Sequence, residues 1–408
     1  MVLIKSFIVK ITKFIATIGS MQNGLHIARR SDDPFIISPH LSPVSSDDGT
    51  LKALNRNLPV SVQHYVRDKG IMRFLADNSA LLAAATLGAS KPSILYKFTE
   101  AGKCMKSFKY GDLQGQNCQV FNFPAAVDPS VKPSVLILVH GGAWGSGKPW
   151  MYRLMAVGMA KCINAQSAIV VQYPLFPERV ISEQAASIYE ALRYIRWNEQ
   201  ELGLPSGASY VLSGHSSGAN ICALALLTCV EKKERLVDSF IALCGVYNIE
   251  KHYHFEKARG AHEFSPMSVA AIGPDRWWEC SPTLLIPKVP RNIIQAFWPD
   301  TFLLHGMFDT TVPYSSSQEF AEQLLHQGVP VNTCYPETLG HADCIFEFTN
   351  DGPTATGKLI AKYYDAFLQV KQKVTATSTN LGDFSEEKEK SESGSTEILH
   401  ETFLKSKL

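Results

Sequence analysis

Four short stretches of this chain bring together a hydroxyl, a carboxylate, an imidazole and a glycine-rich turn. Gly214-His215-Ser216-Ser217-Gly218 fits the pattern G-x-S-x-G. In that pattern a serine stands on a sharp strand-to-helix turn, and the flanking glycines leave room for backbone to crowd behind it. A serine hydroxyl is a weak nucleophile until a neighbouring base takes its proton. His341, in Gly340-His341-Ala342-Asp343, is the candidate base. Asp309, in His305-Gly306-Met307-Phe308-Asp309, is the candidate carboxylate that orients it. Asp343 is the rival acid, but two residues from His341 it is badly placed to bond that ring. His140-Gly141-Gly142-Ala143-Trp144 offers glycines that let backbone N–H groups turn toward a developing oxyanion. The expected donors are Gly142 or Ala143, together with Ser217, the residue after the nucleophile. Such a set would attack an acyl carbon, form a covalent acyl intermediate and hydrolyse it. His215, His252, His254, His262 and His305 are expected to be structural. His140 is expected to order its loop. No metal-ligand spacing appears and no G-x-G-x-x-G follows a strand, so neither a metal nor another cofactor is expected.

These residues can react only if separate elements deliver them to one place. Val135–Val139 is a continuous apolar run, as a strand buried on both faces should be. Ala168–Val171, Tyr210–Ser213, Phe240–Leu243, Phe302–Leu304 and Val329–Cys334 read as further strands, and Ser107–Tyr110 and Gln119–Phe123 as short ones ahead of them. Helical spacing marks Ser182–Trp197, Ala219–Val230, Ser316–His326 and Thr356–Leu368. Alternating strands and helices imply βαβ units and a mainly parallel sheet with helices on both faces. Each candidate residue then falls just after a strand. Ser216 precedes Asp309, which precedes His341. The gap from Ser216 to Asp309 has room for a strand and an insertion, and that from Asp309 to His341 for one helix and one strand. Between Gly245 and Asp300 the alternation fails and aromatics accumulate, so residues 246–299 are expected to form an inserted cap over Ser216.

Composition narrows the function classes. The chain has 408 residues, 45% of them hydrophobic and 19% charged, which suits a globular protein with a sizeable core. Its 39 Lys and Arg nearly balance 38 Asp and Glu, leaving a formal charge of +1. That balance argues against nucleic acid as a partner. Nine cysteines with no C-x-x-C pair suit buried thiols in a reducing compartment. Residues 1–31 carry Lys5, Lys10, Lys13, Arg29 and Arg30 and no acid, with apolar residues at helical spacing. They read as a basic amphipathic segment: a helix for peripheral membrane contact, a transit peptide, or a helix docked on the body. Residues 32–104 read as a linker and helical lead-in, with an apolar stretch at Asn78–Ser90 too short to span a bilayer. Residues 105–370 form the expected folded domain. Residues 371–408 are a polar tail expected to be disordered. The tail ends Ser406-Lys407-Leu408, a signal read by a peroxisomal import receptor. The expected location is a peroxisome or related organelle, with an ER/Golgi membrane or mitochondrial site as the alternative set by the basic amino terminus.

Across residues 105–370 the motifs HGGAW, GHSSGA, HGMFDTTVP and GHAD, in that order, resemble the α/β-hydrolase superfamily and its carboxylesterase branch, which includes isoprenylcysteine methylesterases and arylformamidases. The narrower likeness to isoprenylcysteine methylesterases rests on Gly142-Ala143-Trp144, Phe176-Pro177, Gly245-Val246-Tyr247-Asn248 leading to Arg259-Gly260, and Ser281-Pro282. The resemblance implies an α/β-hydrolase fold with an eight-stranded sheet and a cap. It also implies a cofactor-free serine carboxylesterase for small esters, prenylcysteine methyl esters among them. An arylformamidase-type amide hydrolase is the alternative, although that group usually has Tyr at the place of Ala143. A non-catalytic hydrolase-fold binding protein is the other. Trp144, Trp277, Trp278 and Trp298 are the candidate substrate contacts, and some of Trp277, Trp278, Phe297 and Trp298 are expected to form an apolar wall that would favour medium-length acyl or alkyl groups over acetyl.

Overall fold

Strands buried on both faces send alternate residues to opposite sides. In β3 (Ser134–Val139) every residue is buried. Val135, Ile137 and Val139 enter one apolar core, and Leu136 and Leu138 enter another. The same division runs through β4 (Ser167–Gln172), β5 (Ser209–His215), β6 (Ser239–Leu243) and β7 (Asp300–Leu304). The two cores therefore explain why these strands read as unbroken apolar runs. The computed structural model describes residues 101–123, 132–258, 262, 265–349 and 354–366. The amino-terminal segment, the lead-in up to residue 100, Arg259-Gly260 and the carboxyl-terminal tail with its last three residues lie outside the described residues.

The sheet has eight strands, in the order β1-β2-β4-β3-β5-β6-β7-β8, with β1 at Met105–Lys109, β2 at Asn117–Asn122 and β8 at Val331–Cys334. β1 with β2 and β2 with β4 pair antiparallel, and the other five pairings are parallel. All eight expected strands are present. The first core lies between the sheet and α2 (Ile181–Trp197), α3 (Ser217–Lys232) and α6 (Ser315–His326). The second lies under α1 (Arg153–Cys162) and α8 (355–366). α1 is absent from the helices expected from sequence. Its buried side is Met155, Ala156, Met159 and Ala160, a stripe of small and flexible residues with little apolar contrast. No described helix is long and apolar enough to cross a membrane.

The segment joining β6 to β7 holds α4 (Ile249–Ala258), α5 (Arg291–Phe297) and several single turns between them. It is less of a cap than the aromatic content suggested. Met267, Trp277, Cys280, Ile286, Ile294 and Trp298 are buried in the first core, continuous with α2 and α3. Ser281 ties the segment together, donating to Trp277 O at 2.7 Å and accepting from Ile249 N–H at 2.9 Å. Pro266 is the part that reaches the loop after β3, where a Cβ on Gly145 would lie 3.0 Å from its ring.

The two-core arrangement makes a quantitative statement. Ile137 is fully buried on the central strand, and Val269 is 64% exposed. Ile137→Ala should cost about 2–5 kcal/mol in urea unfolding, whereas Val269→Ala should stay within about 0.5 kcal/mol of the parent. Equal losses at the two positions would contradict the placement of the core.

Candidate active site

Parallel pairing brings the carboxyl ends of β3, β5, β6 and β7 to one edge. Val139 pairs with Gly214, and His215 with Leu243. At that edge β5 turns directly into α3, and Ser216 is the residue between them. Its backbone has φ 56° and ψ −126°, a conformation that costs a non-glycine residue about 1–3 kcal/mol. The Ser216 N–H donates to Leu243 O at 2.9 Å, so β6 holds the strained turn in place. Gly218 permits it: a Cβ there would lie 2.5 Å from the carbonyl oxygens of both Val139 and His140.

The three residues proposed from sequence meet at this turn. His341 Nε2 lies 3.0 Å from Ser216 Oγ. His341 Nδ1 lies 2.6 Å from Asp309 Oδ2. Asp309 is buried, and its other oxygen accepts N–H bonds from Thr311 at 2.8 Å and Val312 at 2.9 Å. Burial alone would raise the carboxyl pKa, but the charge on His341 and hydrogen bonds from His305 and His341 outweigh it and hold Asp309 well below the usual carboxylate range. For His341 burial acts to lower the pKa, and the Asp309 carboxylate reverses this to a net rise above 6.5. Asp343 does not compete for the ring. Its Oδ2 accepts the Gly340 N–H at 2.7 Å and closes the loop that carries His341. The arrangement can move a proton from the serine hydroxyl to the imidazole while a buried anion stabilises the resulting cation.

The loop after β3 lies alongside. Gly142, Ala143 and Trp144 all have positive φ, at 135°, 49° and 60°. Gly142 needs to be glycine on space as well, since a Cβ would sit 2.2 Å from Ser146 O. The Gly142 carbonyl accepts from Ser146 N–H at 2.9 Å and Ser146 Oγ at 2.7 Å. That pair fixes the Gly142–Ala143 peptide and turns the Ala143 N–H to the side away from Ser146. Ser217 opens α3, so its N–H is one of the amides at the helix start with no partner inside the helix.

The tryptophans depart from expectation. Trp144 is buried, and its indole N–H donates to Asn220 Oδ1 at 3.1 Å. Its carbonyl accepts from Phe176 N–H and Gln184 Nε2, both at 2.9 Å. Trp144 thus pins the loop to α2 and α3 and is not a substrate wall. Trp277 is buried against Tyr253, with ring centroids 4.7 Å apart. Trp298 packs on Phe320 and donates to Thr301 Oγ1 at 3.0 Å. It precedes the first residue of β7, at the end of the sheet opposite Ser216. Trp278 is 44% exposed beneath Lys288, whose Nζ is 3.9 Å from the ring centroid. These side chains give no basis for acyl-length selection: aromatic enrichment between β6 and β7 reflects core filling by Trp277 and Trp298.

Two histidines set aside as structural touch the site. His305 Nε2 lies 3.2 Å from Asp309 Oδ2 and 3.0 Å from Val312 O, and its Nδ1 lies 2.7 Å from Ser317 Oγ. His215 lies between Tyr152 and the His341 backbone. Their positions at strand ends, beside the motif residues, were the available signal. Two groups of described residues hold possible metal-ligating atoms within 4.8 Å of one another: His215 with Cys244 and His341, and Cys244 with His305 and Asp309. Both are drawn from side chains already bonded within this network.

Comparison with known proteins agrees with the geometry. The BD-FAE family model matches residues 124–324. A probable isoprenylcysteine alpha-carbonyl methylesterase of Oryza sativa subsp. japonica is 27% identical over 353 residues, covering 79% of this chain and 81% of the relative. A second such protein, from Arabidopsis thaliana, is 25% identical, covering 59% of this chain and 52% of the relative. Among solved structures, carboxyl esterase 2 of the fungus Tuber melanosporum superposes with TM-score 0.51 at 18% identity, covering 65% of this chain and 86% of that one. A hyperthermophilic esterase of the archaeon Pyrobaculum calidifontis gives 0.54 at 14% identity, covering 81% and 99%. The likeness to these two is one of fold. Sheet order and the solved structures show an α/β-hydrolase fold, and the family match, the relatives and the motifs at the sheet edge support a carboxylesterase-like family.

Proposed function

We propose that the protein is a serine esterase that hydrolyses small carboxylic esters through an acyl-enzyme. The observation that carries this is the unbroken contact from Ser216 Oγ through His341 to Asp309, at 3.0 and 2.6 Å. Ser216 attacks the acyl carbon while His341 takes its proton. The Ala143 and Ser217 N–H groups, with Gly142 shaping the turn, receive the oxyanion. His341 then protonates the leaving alcohol, and water releases the acid by the same steps reversed. The contiguous arrangement of all three side chains favours turnover over a binding role. The rice relative, aligned over most of both chains, supports prenylcysteine methyl ester-like substrates as the class to examine first.

A panel of p-nitrophenyl esters, a prenylcysteine methyl ester and N-formylkynurenine tests the class. Turnover of the esters with none of the formamide is expected, and formamide turnover alone would overturn the ester reading. On the best ester, Ser216→Ala and His341→Ala should each lower kcat by about 10⁴–10⁶, with the double variant little worse, because the residues act as a unit. Asp309→Asn should cost about 10⁴ through the wrong imidazole tautomer. Asp343→Asn should cost less than about 10-fold, the scale of one hydrogen bond in a loop. A larger loss at Asp343 than at Asp309 would reassign the acid.

The pH dependence carries a sign. His341 must be neutral to accept the serine proton, and its pKa is raised above 6.5. Therefore kcat/KM should fall as pH drops through a single ionisation centred above 6.5. Asp309→Asn removes the charge that raises it, so the residual activity of that variant should titrate at lower pH. A midpoint that is unmoved or rises would show that Asp309 does not set the base.

A further inference from the structure

His215 stands immediately before Ser216 and is buried. No step of the proposed reaction uses it, yet both its ring nitrogens are engaged. Nε2 lies 2.9 Å from the carbonyl oxygen of His341. Nδ1 lies 2.9 Å from the hydroxyl of Tyr152. A carbonyl oxygen only accepts, so Nε2 carries the proton. Burial favours the neutral ring, which leaves Nδ1 as an acceptor. Tyr152, also buried and held protonated by that burial, must then donate to it. The Tyr152 oxygen lies in turn against Gly141, at the start of the loop after β3. A Cβ on Gly141 would lie only 3.0 Å from that oxygen and 3.0 Å from Ser216 Cβ. The direction of each proton is thereby set: Tyr152 O–H to His215 Nδ1, and His215 Nε2–H to the carbonyl of His341.

We propose that His215 and Tyr152 are positioning residues, forming a strap that ties the backbone of His341 to the loop after β3 across the nucleophile. The proposal rests on the reading of Ser216, His341 and Asp309 given above. Asp309 fixes the tip of the His341 side chain, and behind it the backbone is held locally by the Gly340–Asp343 bond and by Cys344 Sγ, 3.4 Å from the His341 carbonyl. His341 stands on a loop between β8 and α7 (Asp343–Phe346). Those contacts lie within the loop and the start of α7; the strap supplies the anchor from outside them, a 2.9 Å bond on the carbonyl of the same residue. The His215 ring also packs against the His341 ring, with centroids 4.8 Å apart and planes inclined at 49°. Base and loop are then held in one register by a chain whose protons cannot be reordered without either setting the bare Nε2 against the His341 carbonyl or charging a buried imidazole.

Three substitutions separate this role from simple packing. His215→Gln can keep an amide N–H near the place of Nε2 but offers nothing at Nδ1. His215→Asn does the reverse, keeping an acceptor for Tyr152 and losing the bond to His341. Tyr152→Phe removes one oxygen atom. Misplacing a reacting group by about 1 Å costs roughly 10²-fold. His215→Asn should therefore lower kcat on the best ester by about 10²-fold, with KM within about 3-fold. His215→Gln should stay within about 10-fold of the parent, the scale of one net hydrogen bond. Tyr152→Phe should cost about 10-fold alone, but less than about 2-fold in the His215→Gln background, where the link is already open. Thermal melts by circular dichroism accompany each measurement. Full kcat in His215→Asn, equal losses in the Asn and Gln variants, or losses that multiply in the Tyr152→Phe/His215→Gln pair would overturn the strap. If His215→Asn fails to fold, Tyr152→Phe and its pairing with His215→Gln decide the matter. A parent protein with no ester turnover would instead bring down the reading of Ser216, which keeps the two failures distinct.

Discussion

The arrangement depends on one buried carboxylate. Asp309 is charged in a place where an unpaired anion would be costly. It is tolerated because its oxygens accept from Thr311 N–H, Val312 N–H, His305 Nε2 and His341 Nδ1. Four donors of fixed direction leave the carboxylate one orientation. The short bond to His341 passes that orientation to the imidazole, and the imidazole passes it to Ser216 Oγ. A charge-assisted hydrogen bond of this length is stronger than a neutral one, so the base is fixed by the interaction that also raises its proton affinity.

That interaction requires distant parts of the chain to end at one edge. Parallel pairing from β3 to β8 aligns the carboxyl ends of the strands, and the two cores on either side fix the register. Small deviations would be felt at the turn after β5, where Ser216 holds a strained backbone and Gly218 touches the carbonyls that follow β3. The turn and the loop after β3 are therefore one packing problem. Trp144 belongs to its solution: it anchors the loop to α3 through Asn220, and the Asn220 amide donates onward to Cys280 O at 3.0 Å.

The sequence made much of this legible for physical reasons. A strand buried on both faces reads as an apolar run, which makes the five inner strands, β3 to β7, legible, and Ser216, Asp309 and the glycine-rich loop lie just after three of those runs. The choice of Asp309 over Asp343 was readable from chain geometry alone, since a carboxylate two residues away cannot reach round to the ring. What was not legible depended on side-chain direction. Trp277 and Trp298 carry no local sign of facing the core and not a ligand. His305 and His215 look like ordinary buried histidines until the partners at both ring nitrogens are known. α1 was missed because alanine and methionine mark an apolar face weakly. Aromatic density in the segment between β6 and β7 does not tell a lid from a helical layer.

The central claim is that Ser216 is a nucleophile made reactive by His341 and Asp309. Intact-protein and peptide mass spectrometry after brief exposure to a fluorophosphonate tests it most directly. The account predicts a single adduct on the peptide containing Ser216, formed rapidly by the parent and slowly by Asp309→Asn, and absent from Ser216→Ala. An adduct on another serine, or labelling of Ser216 at the same rate in Asp309→Asn, would contradict it.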